Sequence, residues 1–458
     1  MFSKKNIIIS SIIFIISVIF LILSFNSLFA YNLFEKLLGL TLNSERWIPI
    51  FGKLLFIGFL FTLALALGIL FLEQIITFYN KNTIIFFIIC FGVIAFLCRL
   101  SCLSFTSVDY NSHLKPWFET FKADRLNAFR SDVGDYTVIY KYLILIISFL
   151  PISSLYSYKF ISIIFDYLLA IYSYKFIFKI TEDKNKSLFT FAAILFTPNI
   201  ILNSSMWAQC DSIFTFFILL SCYYLFLKNE KKSIIFFTIA FCFKIQAIFF
   251  LPVYVVSIMK REIKPKSFLY FPIIYFLVII PAIILGMSPF YAFVGAYLKQ
   301  TTSYQSLYFN VPNLYQIFNP GFENSNMSNL TLFLTLAICS IIAFIYINSK
   351  INDPKKLILI SYLFTFIIPF VLPHMHERYF YLSDIFAILF AFTYTKYFYI
   401  SIISISCSLP FLVQFLFGVN PSLNFVLFGF IMFIDLILLF KVFVKEFYTH
   451  PLNNQEKQ

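Results

Sequence analysis

Long apolar runs govern what this chain can become. Ile7 to Ala30, Ile48 to Leu72 and Ile84 to Phe105 each exceed the length a helix needs to cross a bilayer. Inside lipid a backbone must satisfy its own hydrogen bonds, which leaves helices and closed barrels. Barrels are built from short alternating strands, so continuous apolar runs exclude them. The same pattern recurs along the chain and predicts an all-α polytopic membrane protein of about 13–14 transmembrane helices. Lys4 and Lys5 precede a first run too long for a signal peptide and without a small-x-small cleavage site, so it reads as a retained helix.

Only 12% of residues are charged, and the net charge of +13 comes from Lys and Arg scattered over short loops. That is the pattern of topogenic charge, with the N-terminus inside, rather than of a nucleic-acid surface. The expected partners therefore include membrane lipids and no nucleic acid. The eight cysteines lie in or beside apolar segments without a C-x-x-C pair, which indicates neither a disulfide framework nor a zinc site.

The expected organisation is two N-terminal helices over 1–83, a membrane core over 84–395 with outer loops at 106–137 and 288–328, further helices over 396–445 and a tail over 446–458. Two stretches resist a simple crossing. Residues 233–259 carry Lys244, Gln246 and Pro252 near the middle, which predicts a short hairpin with its apex at the outer face. Residues 138–150 are too short to cross untilted and read as re-entrant.

On this topology the polar clusters share the outer side, and of the four histidines His113, His374 and His376 fall in them. Asp109 and His113 follow an apolar helix and precede Pro116-Trp117-Phe118, which suits an interfacial helix starting at Pro116. Asp109 is either a helix-end residue or a site carboxylate. Trp207-x-Gln209-x-Asp211 sets an indole, an amide and a carboxylate at a helix start, where an interfacial Trp and an N-terminal Asp are also at home. Lys244 sits far from any lysine-rich end and needs an anion nearby. His374, His376, Glu377 and Arg378 fit a phosphate better than a metal, because Arg offers a bidentate fork; an Arg–Glu pair closing a turn is the alternative. The loop with Tyr304, Gln305, Tyr308 and Asn310 mixes aromatic faces with amides, as sugar sites and membrane interfaces both do.

Taken together, Asp109-Tyr110 to Pro116-Trp117, Trp207-x-Gln209-x-Asp211-Ser212, Phe243-Lys244-x-Gln246 and His374-x-His376-Glu377-Arg378-Tyr379 resemble the GT-C superfamily of membrane glycosyltransferases, most closely the bacterial proteins related to the GPI mannosyltransferases. The resemblance covers about residues 84–395. It implies an inverting enzyme that takes a hexose, mannose or similar, from a polyprenyl-phosphate donor to a glycan or lipid-linked acceptor on the outer face of a bacterial plasma membrane. Asp109 is then the general base, with Lys244, Arg378, His374 and His376 meeting the donor phosphate. His113, Trp117, Trp207, Gln209, Asp211, Gln246, Glu377, Tyr308 and Asn310 are the candidate substrate contacts. The first loop has no D-x-D, which argues against an obligatory metal and leaves a divalent ion open. The rival readings are a transporter or flippase of lipid-linked sugars, and a polymerase or ligase of lipid-linked glycans.

Overall fold

The computed structural model describes residues 4–38, part of 48–74, 81–131, 133–302, 307–318, 325–349, 353–418 and 425–448. About half of the run 48–72 and most of the tail 446–458 lie outside the described residues, and Tyr304 and Gln305 wholly so. The chain divides into two compact units, Met1–Ile89 and Cys90–Gln458.

The first unit contains α1 (Lys4–Phe25) and α2 (Ser27–Leu38). Ser10 Oγ donates to the Ala66 carbonyl at 2.7 Å and Ser17 Oγ to that of Phe59 at 3.2 Å. Hydroxyls pinned this way carry little burial cost in a greasy surrounding.

α3 (Thr83–Leu100) leads into the second unit, which continues with α4 (Lys115–Asp124), α5 (Val138–Ile147), α6 (Ser154–Thr181), α7 (Lys184–Phe196), α8 (Asp211–Phe226), α9 (Glu230–Phe243) and α10 (Leu251–Met259). After these come α11 (Tyr270–Ile284), α12 (Ser325–Asn348), α13 (Lys356–Val371), α14 (Tyr381–Thr393), α15 (Phe398–Phe417) and α16 (Phe425–Tyr448). A two-residue parallel ladder joins β1 (Tyr308–Phe309) to β2 (Met375–His376).

Helix polarity explains the layout. α13 buries nearly every residue from Lys356 to Val371, as a helix apolar on all sides must when protein surrounds it. α11 and α12 leave Ile273, Leu277, Phe333 and Phe344 exposed, the pattern of helices that face lipid. The turns between helices are capped locally. The Asp183 carboxylate accepts from the Asn185 and Lys186 amides at the start of α7, and Asn229 accepts from Lys232 N at the start of α9.

The architecture is that of an all-α polytopic membrane protein. Among the described residues seven helices are long and apolar enough to cross a membrane, or eight with one bent pair. That is fewer than the apolar runs suggest, because several runs are bent or form helices too short to cross. The run after Lys184 bends by 47° between α7 and Pro198–Met206, and the stretch 233–259 breaks at Lys244. α5 has 10 residues, about 15 Å at 1.5 Å per residue, half the hydrocarbon thickness.

Candidate functional site

The breaks in the helices are where the polar residues gather. Asp109 follows the end of α3, Asp211 opens α8, Lys244 follows the last residue of α9, and Arg378 precedes α14. Four helix ends thus meet, and ion pairs join them. Arg378 lies 3.3 Å from Asp109 Oδ2, and Lys244 pairs with Asp211 Oδ1. The second pair is almost wholly buried, whereas the Asp109 side chain keeps 25% of its exposure.

Local backbone geometry builds the Asp109 side. After Pro198–Ile201 the chain widens into a π-type turn at Leu202–Met206, a form often found at functional sites. Ala208 then adopts φ +65°, a left-handed conformation that costs a non-glycine residue energy. The reversal sends Trp207 and Gln209 the same way. Trp207 Nε1 donates to Asp109 Oδ2 at 2.9 Å and Gln209 Nε2 to the same oxygen at 3.1 Å. Trp207 is itself fully buried, stacked on Phe415 at 4.5 Å and packed on Leu412 and Leu416. Its carbonyl accepts from Ser107 Oγ at 3.3 Å, and the same Ser107 oxygen accepts from Tyr110 N, so the turn that presents Asp109 is tied to the turn that presents Trp207.

All three donors fall on Oδ2. Among the described residues Oδ1 takes no hydrogen bond, and Asp109 lines an open cleft of about 720 Å³. A carboxylate anchored through one oxygen with the other open is oriented to accept a proton from a bound hydroxyl.

The cleft is also lined by Lys244, Gln246, Arg378 and Tyr379. Asn203 Nδ2 supports Asp211 Oδ2 at 2.8 Å, which fixes the carboxylate that fixes Lys244. The Arg378 guanidinium sits 5.1 Å over the Trp207 ring, and its buried Nε has no partner among the described residues.

A second, more apolar groove of about 900 Å³ adjoins the cleft, and Gln246 and Tyr379 line both. Its walls include Ile248, Phe249, Leu332 and Leu372.

The residues singled out from sequence separate into three groups. Asp109, His113, Trp117, Gln209, Lys244, Gln246 and Arg378 line the cleft, with Trp207 and Asp211 directly behind it. His374 and His376 line the apolar groove instead: His374 Nε2 lies 2.9 Å from Ser328 Oγ, and the His376 ring stacks on Phe309 at 4.6 Å. Burial, then repulsion from Arg378 and Lys244, pushes the His376 imidazole down to about 3, so it is neutral near pH 7. Glu377 lies buried 4.0 Å from His376, and burial pushes its carboxyl up to about 7. Tyr308 and Asn310 line neither space; Tyr308 pairs with Met375 in the ladder and Asn310 Nδ2 donates to the Phe411 carbonyl at 2.9 Å.

Sequence reasoning did not single out Tyr136 or Tyr379, both cleft residues. Tyr379 stands at the end of a motif that was recognised, but Tyr136 sits in a loop without periodicity or charge pattern. No family model matches the chain, and neither does any curated protein.

Proposed function

We propose that this protein is an inverting glycosyltransferase that moves a hexose from a polyprenyl-phosphate carrier to a glycan or lipid-linked acceptor at the outer face of a bacterial plasma membrane. One observation carries the reading: Asp109 is held through Oδ2 by Trp207, Gln209 and Arg378 while Oδ1 faces a cleft walled by two cations. In the step, the acceptor oxygen attacks the anomeric carbon as its proton passes to Asp109. The bond from that carbon to the carrier phosphate breaks, and the polyprenyl phosphate leaves with the electron pair. Charge grows on the leaving phosphate, where the Arg378 guanidinium and the Lys244 ammonium supply the opposing positive charge.

The adjoining groove supports a lipid-linked substrate. Its apolar walls suit an isoprenoid chain, and the residues it shares with the cleft, Gln246 and Tyr379, would stand where the chain meets the phosphate. A flippase, by contrast, places its ionised groups near the bilayer midplane, whereas here the cleft pairs gather where helices end.

The test is a transfer assay with purified protein in liposomes, offering polyprenyl-phosphate-linked mannose, glucose and galactose beside the nucleotide sugars. Transfer from one lipid-linked donor, lost in Asp109→Asn while that variant keeps its thermal stability, is the expected result. Movement of the lipid across the liposome without transfer would replace the enzyme by a flippase.

A further inference from the structure

We propose that Tyr136 is a positioning residue that sets which end of the Gln209 amide faces Asp109, and so keeps the carboxylate aimed into the cleft. The role rests on the glycosyl-transfer reading.

An amide can present either its oxygen or its NH2 to a neighbour, and the two choices have opposite consequences beside a carboxylate. The Gln209 backbone is immobilised: its N–H donates to the Asn203 carbonyl at 3.1 Å and its carbonyl accepts from Ser162 Oγ at 2.7 Å. Only the side-chain rotation is left to decide. The Tyr136 hydroxyl donates to Gln209 Oε1 at 2.9 Å, which turns Nε2 toward Asp109. A flipped amide would set two acceptor oxygens against each other at Asp109.

Tyr136 is suited to act as a donor that does not change with pH. Burial pushes its phenol well above the ordinary range, so it stays protonated. Its ring is clamped between Trp117 at 5.3 Å and Tyr140 at 4.7 Å, both edge-on. Gly134 makes the clamp possible: its φ is +73°, and a Cβ there would come within 2.7 Å of the Trp117 ring. Beyond Tyr136, Thr137 Oγ1 donates to the Phe243 carbonyl at 3.0 Å, which ties the segment to the end of α9 beside Lys244.

Tyr136→Phe removes the hydroxyl and keeps both ring contacts. It is expected to lower kcat about tenfold, the worth of one buried hydrogen bond, with the donor KM unchanged within about twofold. Because Tyr136 acts through Gln209, the double variant Tyr136→Phe/Gln209→Ala is expected to be no slower than Gln209→Ala alone. A role in packing only would multiply the two losses, and that result, or full activity of Tyr136→Phe, would overturn the proposal. If Tyr136→Phe does not fold, Gly134→Ala, which presses Trp117 against Tyr136, enters the same cycle with the same expected non-additivity. Absence of transfer by the wild-type protein from every donor is a separate outcome that overturns the transfer reading together with this role.

Discussion

At the scale of single residues, the site works by tying its polar groups to defined neighbours, as Asp109 is tied to Trp207, Gln209 and Arg378. Glu377 is the exception that pH can reach. With its carboxyl pushed up to about 7 by burial, against an opposing pull from Arg378, it is neutral below that pH and negative above it. Ionisation adds a negative charge beside the cation expected to hold the donor phosphate, so donor KM should rise several-fold between about pH 6 and 8. Glu377→Gln is expected to flatten that dependence, and steady-state kinetics across the range would check it. Ala208 offers a second residue-level test. Its left-handed backbone aims Trp207 and Gln209 at Asp109, and the residue is buried. Ala208→Gly should raise thermal stability slightly and keep transfer, because glycine adopts this conformation freely. Ala208→Val should cost about 2 kcal/mol or more and abolish transfer, since a β-branched side chain is strained there and has no room. Neither the strain nor its use can be seen in the string Trp-Ala-Gln: the tripeptide has no glycine or asparagine to announce a left-handed turn.

At the scale of elements, helix ends are joined by buried cations. Lys159, near the start of α6, donates to the carbonyls of Cys102 at 3.1 Å, Leu103 at 2.9 Å and Phe105 at 2.6 Å. These carbonyls belong to the turn that follows α3, just ahead of Asp109, and those of Leu103 and Phe105 have no other hydrogen bond among the described residues. Lys159→Met would orphan the Leu103 and Phe105 carbonyls and should cost at least about 2 kcal/mol, read as a fall in the melting temperature in detergent. Arg99 works similarly, paired with Asp166 at 3.0 Å and donating to the Leu195 carbonyl at 2.9 Å, so it ties α3 to α6 and α7. That Lys244 breaks a helix was legible, because a lysine and a proline inside an apolar stretch are poor company for a straight crossing. That its partner is Asp211 was not, since the sequence says only that Lys244 needs an anion nearby, and distance alone chooses among the carboxylates. Asp384 instead accepts from Asn199 Nδ2 at 2.8 Å.

At the scale of the whole molecule, a polar cleft opens beside an apolar groove, and the lipid-linked donor we propose would span both. Narrowing the groove should therefore discriminate by chain length. Leu332→Trp is expected to raise the KM for a long polyprenyl donor by about tenfold or more while changing that for a two-isoprene analogue little, a comparison made in one detergent. The apolar runs by themselves determined that the chain is helical and resides in a membrane, because a backbone in lipid has so few ways to satisfy its hydrogen bonds. The residue types near the run ends also marked Asp109, Lys244 and Arg378 as unusual, since a charge in such surroundings needs a partner. Only the tertiary structure decided which charges pair, that His374 and His376 turn to the groove rather than the cleft, and that Tyr136 reaches Gln209 from 73 residues away. Those outcomes depend on distances between helix ends far apart in the chain, and local periodicity carries no information about them.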